Sequence, residues 1–153
     1  MSAPHSGIDP RGPQFTAALT AVVLVAVLLL PTAGATALLA VQTVLFAWGA
    51  VAGVQRTPVA WLFRTVVRPR LGAPDHLEDP APPRFAQAVG LAFAVVGLLG
   101  FATGVEALAL VAVGFALVAA LLNAVFRFCL GCEMYLLLRR LSPASTSTSA
   151  ATN

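Results

Sequence analysis

Two cysteines near the carboxyl end of the chain are the residues best suited to chemistry. They are its only cysteines, and Cys129 and Cys132 form a C-x-x-C. This spacing puts both sulfur atoms on one helical face or at bonding distance across a turn. It is typical of thiol–disulfide exchange, in which one thiolate attacks and a second thiol resolves the mixed disulfide. The sequence therefore predicts Cys129 as the attacking catalytic sulfur and Cys132 as the resolving one.

Other uses of the cysteine pair stay open at the level of sequence. Cysteine also packs as a small apolar residue in helices, and one C-x-x-C supplies half of a tetrahedral zinc site, which a dimer would complete. No further side chains stand at metal-ligand spacing, so no metal ligand is assigned and the cofactor is unknown.

The reactivity of the pair depends on the backbone around it. If one helix runs unbroken to Arg140, no helix terminus stabilises a thiolate. If the chain breaks at Gly131 and a new helix begins there, the cysteines lie at a positive helix N-terminus, which favours the thiolate. Glu133, next to Cys132, opposes this effect.

The composition of the chain indicates an integral membrane protein. Its 153 residues are 59% hydrophobic and only 10% charged, with a mean hydropathy of +0.89. A soluble domain averages roughly 25% charged residues, so this chain has too few to cover a water-facing surface. It also lacks the basic, aromatic-studded surface outside the membrane that nucleic-acid binding requires, so we expect the lipid bilayer and no nucleic acid as its partner.

Two long apolar stretches carry the membrane prediction. Each is about twice the ~20 residues that a spanning helix needs, and each breaks once in the middle. We predict an all-α integral membrane fold with four transmembrane helices, at about 15–31, 35–54, 85–103 and 106–127.

The chain repeats itself with a shift of seventy positions. The segment Ile8–Phe15 returns as Glu78–Phe85, with the Asp-Pro-x-x-Pro-x-Phe pattern kept in both. Internal repetition defines architecture before any local prediction. A unit of two spans returns to its starting side, so we predict two parallel two-span repeats related by an axis along the membrane normal. The predicted parts are a disordered N-terminus 1–8, unit one 9–71, a proline-rich cytoplasmic linker 72–83, unit two 78–141 and a disordered tail 142–153.

The basic residues predict the orientation. All nine are arginines, and each lies outside the two short hairpin loops. The positive-inside rule then places both termini in the cytoplasm of a multi-pass protein of the plasma (inner) membrane.

Each unit is predicted to end in a short cytoplasmic helix that lies in the membrane interface, at about 59–68 and 128–141. In the first, aromatic and aliphatic residues alternate with arginines at helical spacing, which suits aromatic rings at headgroup depth and guanidinium groups on phosphates. The predicted membrane-interface residues are Trp61, Arg64, Arg68, Arg70, Arg139 and Arg140.

The spans contain few polar side chains. Gln42 and Asn123 lie at depth, and we expect each to hydrogen-bond a neighbouring helix, with pore or ligand lining as the alternative. Four short spans make a thin bundle, which is compatible with a homodimer.

The sequence resembles a known family through the segments quoted above, the stretch Phe63–Leu71 and, most specifically, the closing Phe128–Tyr135. It resembles the bacterial, mainly actinobacterial, membrane family catalogued as domain of unknown function four-three-nine-five, over roughly residues 8–141. The family has no established activity. Its members tend to be encoded near thioredoxin-like and sulfurtransferase proteins, so the resemblance implies a thiol or sulfur setting and a cytoplasmic partner of one of those kinds.

Together these features predict a membrane-anchored thiol-redox or sulfur-relay accessory protein that acts through a cytoplasmic-side C-x-x-C. The alternative is a non-enzymatic membrane scaffold or small transporter subunit with structural cysteines. Whether the protein is an enzyme stays open.

Overall fold

The computed structural model describes residues 7–142, and this part of the chain consists of helices joined by turns and loops, with one isolated β-bridge. The helices are α1 (Arg11–Leu29), α2 (Thr32–Ala52), α3 (Pro58–Leu62), α4 (Arg68–Leu71), α5 (Ala81–Thr103), α6 (Glu106–Phe126) and α7 (Leu130–Leu141). Four of them, α1, α2, α5 and α6, are long and apolar enough to cross a membrane. The chain is therefore an all-helical protein compatible with a multi-pass membrane protein, as predicted.

The first helix of each hairpin begins earlier than the predicted spans. In α1 the carboxylate of Asp9 accepts the backbone N–H of Arg11 at 3.0 Å, and before α5 that of Asp79 accepts the N–H of Ala81 at 2.8 Å. A side-chain oxygen that satisfies a free N–H stabilises the first turn of a helix. The predicted starts at 15 and 85 followed the apolar residues, whereas the helices begin at their capped polar turns.

Each hairpin turns within two residues. Leu30 adopts an extended conformation because Pro31 follows it, so α1 ends at Leu29 and α2 begins directly after the proline. The second turn uses Gly104 in the left-handed conformation, with φ of 76°. Both turns lie at one end of the bundle, where the hydroxyl of Thr32 donates to Glu106 at 3.4 Å.

A continuous helical segment follows α2, from α3 through a π-helical turn at Phe63–Val67 into α4. The N–H of Arg68 bonds to the carbonyl of Phe63, one residue wider than an α-helical bond. Pro69 lacks an N–H and would press against the carbonyl four residues earlier, so the wider turn makes room for it. The segment Pro58–Leu71 therefore exceeds the predicted helix 59–68 at both ends.

The bundle core is made by pairing the two hairpins. Helix α2 packs along α5, and α1 packs along α6. Leu24, Val27, Leu39 and Val113 are the largest side chains that are almost fully buried. Large apolar side chains also point outward from these helices, among them Val22, Leu29, Val51, Leu99 and Phe115. Such an outer surface suits hydrocarbon better than water.

The opposite end of the bundle holds the start of α1, the segment 53–80, the start of α5 and the whole of α7. Eight of the nine arginines lie in these elements and the ninth, Arg127, lies just before α7, so we call this the arginine end. Here Ile8 and Glu78 form an antiparallel bridge, with N–H to carbonyl distances of 2.8 and 2.9 Å. Ile8 is buried.

The bridge corrects two predictions about this region. Ile8 was expected in a disordered N-terminus 1–8, but its backbone is paired; residues 1–6 of that prediction lie outside the described residues. The predicted linker 72–83 is pinned at Glu78, and its last three residues already belong to α5. Of the predicted disordered tail, residues 143–153 lie outside the described part.

An ion pair anchors the first unit at the same end. The guanidinium of Arg11 binds both carboxylate oxygens of Asp9, at 3.0 and 2.9 Å, and also donates to the carbonyls of Leu71 and Gly72, at 3.1 Å each, where α4 ends. These charge-assisted hydrogen bonds lower the pKa of the Asp9 carboxyl below its ordinary value. Arg11 therefore holds the end of α4 against the start of α1.

Candidate thiol–disulfide site

The site begins where α6 ends. Arg127 takes the left-handed conformation, with φ of 56°. Its N–H bonds to the carbonyl of Asn123 at 3.1 Å, and the N–H of Phe128 bonds to that of Leu122 at 3.2 Å. The bond from Arg127 to the carbonyl four residues earlier is that of the αL motif, in which glycine usually holds the left-handed position. The motif ends α6 at Phe126 and redirects the chain.

The two cysteines open the next helix and are joined in a disulfide. Cys129 is the N-cap of α7: its backbone is extended, and its sulfur accepts the N–H of Cys132 at 3.3 Å. The Cα atoms of the pair lie 5.2 Å apart, and both residues are half-buried. A new helix therefore begins at the cysteine pair, which is the alternative that favours a reactive thiolate. The break between the two helices lies at Arg127 and Phe128, however, and not at Gly131.

Gly131 instead serves the packing of α7. It is buried in the first turn of that helix, and a Cβ added there would meet the Cα of Ala86 in α5 at 2.6 Å. Farther along, the rings of Phe85 and Tyr135 lie 5.8 Å apart, and the guanidinium of Arg139 lies 5.9 Å from the Tyr135 ring. These contacts hold the N-terminus of α7, and with it the disulfide, against α5.

One side of the disulfide faces a polar cavity of about 430 Å³ at the arginine end. Charged and titratable side chains of several segments surround it together with both cysteines: Arg11, His76, Glu78, Asp79, Arg127 and Glu133. Acids and bases are mixed, so the cavity is polar without a dominant sign of charge. A water-soluble thiol or a partner's cysteine has an approach to the sulfur atoms from this side.

The other side of Cys129 borders a second cavity, of about 260 Å³, between α1, α5, α6 and α7. Its lining is mainly apolar, with Phe46, Phe93, Phe115 and Met134 as the largest side chains. Four residues line both cavities: Pro13, Pro83, Asn123 and Cys129. The disulfide thus stands in the wall between a polar and an apolar space.

Comparison with known proteins identifies a family. The family model described as Domain of unknown function (DUF4395) matches residues 8–140, nearly the whole chain. The chain belongs to the DUF4395 family. No curated protein and no solved structure matches it. The family assignment confirms the resemblance seen in the sequence, and it covers both hairpins and the cysteine pair of this DUF4395 protein.

The two polar residues predicted within the spans lie in different places. Asn123 is in the last turn of α6, beside Cys129, and lines both cavities. Gln42 is buried in α2 and borders a small cavity of about 40 Å³ that also touches Thr57. Of these two residues, the structure brings only Asn123 to the cysteine pair.

Sequence reasoning missed the side chains that tie the hairpins together. Gln14 donates to the carbonyl of Ala124 at 2.8 Å, which joins α1 to α6. Arg84 donates to the carbonyls of Ala50 and Val51 at 2.7 and 2.8 Å, which joins α5 to α2. The sequence repeat offered a signal for them, because Gln14 and Arg84 are equivalent positions, seventy residues apart.

The predicted interface residues all lie at the arginine end of this DUF4395 protein. Their side chains are exposed: Trp61, Arg64, Arg68, Arg70, Arg139 and Arg140. None of them lines the two cavities beside the cysteine pair. Within residues 7–142, no group of three or more His, Cys, Asp or Glu side chains is placed to hold a metal ion.

Proposed function

We propose that the protein is a membrane-anchored thiol-redox or sulfur-relay accessory protein, with Cys129 and Cys132 as its reactive pair. The observation that carries this proposal is the disulfide at the N-terminus of α7, which lines a polar cavity at the arginine end. Exposed disulfides are the labile or catalytic ones, and both cysteines here are half-buried rather than enclosed.

The backbone supports Cys129 as the attacking sulfur. Once the pair is reduced, a Cys129 thiolate would accept the N–H of Cys132 and lie at the positive end of the α7 dipole. Arg127 lines the same cavity and adds a positive charge, whereas Glu133 in the first turn of α7 opposes it.

In the redox version, the Cys129 thiolate attacks a partner's disulfide and releases one partner thiolate. Cys132 then attacks Cys129 in the mixed disulfide, which releases the second partner thiol and leaves the intramolecular disulfide. Two electrons and two protons pass from the pair to the partner. The same exchange run in reverse passes them from a partner's dithiol to the Cys129–Cys132 disulfide, and the reduced pair must then be reoxidised. In the sulfur-relay version, the Cys129 thiolate takes the outer sulfur of a partner's persulfide, and Cys132 then expels it as hydrogen sulfide.

We infer a plasma-membrane protein whose arginine end faces the cytoplasm. The arginines at one end and the apolar outer surface of the four long helices support this orientation. A cytoplasmic thioredoxin-like or sulfurtransferase protein would then meet the cysteine pair, and a homodimer would thicken the bundle. A membrane-impermeant maleimide, added after reduction, should label the pair in inverted vesicles and leave right-side-out vesicles unlabelled; the reverse pattern would contradict the orientation.

The contacts favour two copies of one unit. Ile8 and Glu78 are seventy positions apart and bond to each other, as equivalent residues on a two-fold axis would. Asp9 and Asp79 cap their helices in the same way. The short helices after α2 and α6 would be the interfacial helices of the two units, since both carry exposed arginines and apolar side chains.

Trapping tests the proposed function. A Cys132→Ser variant keeps the attacking sulfur but cannot resolve a mixed disulfide, so it should accumulate a covalent adduct with its partner in cells. Cys129→Ser is the matched control and should accumulate none. Equal yields from both variants, or no adduct from either, would contradict the proposal.

A structural role for the cysteines is the second candidate, and one observation favours it. Thr57 caps α3 through its hydroxyl, which accepts the N–H of Ala60 at 3.1 Å, just as Cys129 caps α7. A cap of this kind needs no chemistry. In a membrane scaffold or small transporter subunit, Cys132→Ser would trap nothing.

A further inference from the structure

The apolar cavity beside Cys129 is a feature that thiol exchange with water-soluble partners does not require. It lies within the bundle, on the side of Cys129 opposite the polar cavity. Its volume of about 260 Å³ falls just below the range of about 300–1,000 Å³ typical of small-molecule pockets. A flat ring fits such a space, and a long tail would have to stay outside.

The cavity opens toward the outer surface of the bundle. Three of its lining residues are exposed: Phe115 by 62%, Met134 by 47% and Leu130 by 36%. Phe115 belongs to a potential membrane-spanning helix, so lipid surrounds this opening when the protein lies in a bilayer. A ligand from the membrane can therefore enter without crossing the polar cavity.

A few polar groups lie inside. Thr20 is buried at the cavity wall, and the amide side chains of Gln87 and Asn123 line the same space. Hydroxyl and amide groups in an apolar cavity fix the orientation of a ligand that carries hydrogen-bond acceptors. The cavity thus offers an apolar entrance, donors for a carbonyl oxygen and a sulfur atom in its wall.

The first cap has different surroundings. Thr57 itself borders a cavity of only about 40 Å³, and the cavity of about 330 Å³ that its partner Ala60 lines also contains the charged side chains of Asp9, Arg64 and Arg68. An apolar cavity beside the capping atom therefore accompanies the cap that carries sulfur, although the two caps form the same hydrogen bond.

We propose that this cavity admits the ring of a lipid-soluble quinone, which reoxidises the cysteine pair. The proposal rests on the thiol-redox function proposed above. A quinone combines the features that the cavity selects: solubility in the membrane, a flat ring, carbonyl acceptors and the capacity to take two electrons.

The electron balance closes without another reactant. The Cys129 thiolate adds to a ring carbon and forms a carbon–sulfur bond. The Cys132 thiolate then attacks the Cys129 sulfur, the carbon–sulfur bond breaks, and its electron pair stays on the ring. Two protons, originally those of the two thiols, complete the quinol. One dithiol and one quinone give one disulfide and one quinol.

The experiment uses the full chain in phospholipid vesicles. The protein is reduced, freed of reductant and mixed with a decyl-substituted benzoquinone in the vesicles or with oxidised glutathione in the water. Disulfide formation is followed by mass-tagging of free thiols, and quinol by its absorbance. We expect one quinol for each disulfide formed by the quinone.

Ala119→Phe distinguishes oxidation by the quinone from oxidation by glutathione, since Ala119 lines the apolar cavity and not the polar one. It should slow oxidation by the quinone at least about tenfold and leave oxidation by glutathione within about twofold. Ala40→Phe, at an exposed position of α2, is the matched control and should change neither rate. Thr20→Val, nearly identical in shape, should weaken the apparent affinity for the quinone and guards against a misfolded Ala119→Phe variant.

The outcomes distinguish this inference from the proposed function. Oxidation by glutathione without oxidation by the quinone would overturn the quinone site and leave the thiol-redox role standing. Oxidation by neither would overturn both. Equal slowing of both routes by Ala119→Phe, with Thr20→Val at the wild-type affinity, would also overturn the quinone site.

Discussion

The short helices that follow α2 and α6 start in the same way and differ in the atom that starts them. Thr57 caps α3 with an oxygen and bonds the N–H of Ala60; Cys129 caps α7 with a sulfur and bonds the N–H of Cys132. An aromatic contact follows in each, between Phe15 and Phe63 and between Phe85 and Tyr135, at 5.7 and 5.8 Å. One scaffold thus carries a structural cap in one place and a candidate reactive pair in the other.

The spaces beside the two caps differ as much as the caps themselves. Thr57 itself borders about 40 Å³, and the cavity of about 330 Å³ beside its partner Ala60 is lined by charged side chains, whereas Cys129 borders an apolar cavity of about 260 Å³ and a polar one of about 430 Å³. A structural cap needs no access, whereas an exchanging sulfur needs room for its reaction partner. The proposed chemistry therefore requires both a changed capping atom and accessible space beside that atom.

The largest expected effect comes from making the second cap like the first. Cys129→Thr should abolish thiol–disulfide exchange, because no attacking sulfur remains. It should keep α7 folded, with a free energy of unfolding within about 1 kcal/mol of that of the reduced wild-type protein, since threonine is itself a good N-cap. Exchange with a fluorescent disulfide and thermal unfolding measure the two quantities.

Thr57→Cys is the control for that substitution. It should keep α3 folded and add little exchange, because residue 57 is buried and a sulfur there has no resolving partner to release a mixed disulfide. Exchange that survives Cys129→Thr would show that Cys129 is not the attacking residue.

The reverse substitution places a pair of cysteines at the first cap. Thr57→Cys with Ala60→Cys, in a chain whose own two cysteines are serines, should form a new disulfide because the caps have the same hydrogen bond. It should be reducible by dithiothreitol in water. Its oxidation by a membrane quinone should be at least about tenfold slower than that of the natural pair, since position 57 borders only about 40 Å³ and the cavity beside position 60 is lined by charged side chains. Equal rates of oxidation would show that the apolar cavity does not determine the reaction with the quinone.

Close packing of α7 predicts a smaller effect on stability. Gly131→Ala would place a Cβ 2.6 Å from the Cα of Ala86 and should cost about 1–3 kcal/mol of unfolding free energy, because backbone must move. Gly114→Ala in α6 is the matched control. It has open space around it and should be neutral or stabilising by up to about 1 kcal/mol. Denaturant titration of the detergent-solubilised protein checks both, and equal effects would contradict the packing.

The ties between hairpins should show a modest difference. Arg84→Ala removes two hydrogen bonds to the end of α2 and should cost about 1–2 kcal/mol, against about 1 kcal/mol for Gln14→Ala, which removes one to α6. The same titration measures both. A larger loss for Gln14 would reverse the ranking of the two ties.

The smallest effect concerns pH. The pKa of Asp9 is lowered in the folded state, so its ion pair with Arg11 stabilises the protein above the ordinary aspartate pKa of about 3.9 and is lost as pH falls below it. Asp9→Asn should therefore destabilise at pH 7 more than at pH 3. Asp79→Asn is the matched control, because Asp79 bonds the N–H of Ala81, which carries no guanidinium group. Parallel pH profiles would contradict the ion pair's role.

The sequence predicted the four long helices because their signal is composition, which the bilayer dictates over about twenty residues at a time. The two hairpin turns lie beside Pro31 and Gly104, whose backbone preferences are local, but the first turn comes earlier than predicted, since α2 begins at Thr32 rather than at 35. Helix starts were misplaced because polar capped turns at Arg11 and Ala81 precede the apolar residues.

The site itself depended on features that sequence patterns show poorly. Arg127 ends α6 in a conformation that arginine seldom adopts, so no glycine marked the break. The match between Thr57 and Cys129 was also hidden. Ala52, where α2 ends, corresponds to Leu122 at a shift of seventy, but α6 runs one turn further to Phe126. That extra turn contains Asn123. The cavities form by tertiary packing, which no local sequence pattern specifies.

The redox state of Cys129 and Cys132 in living cells tests the central claim most directly. Cells are quenched in acid before, during and after a pulse of oxidant, and the free thiols are counted by mass-tagging. The account predicts a pair that passes from dithiol to disulfide and returns to dithiol as the cells recover. A pair that keeps one state throughout, while other cellular thiols respond, would contradict it and leave Cys129 as a cap like Thr57.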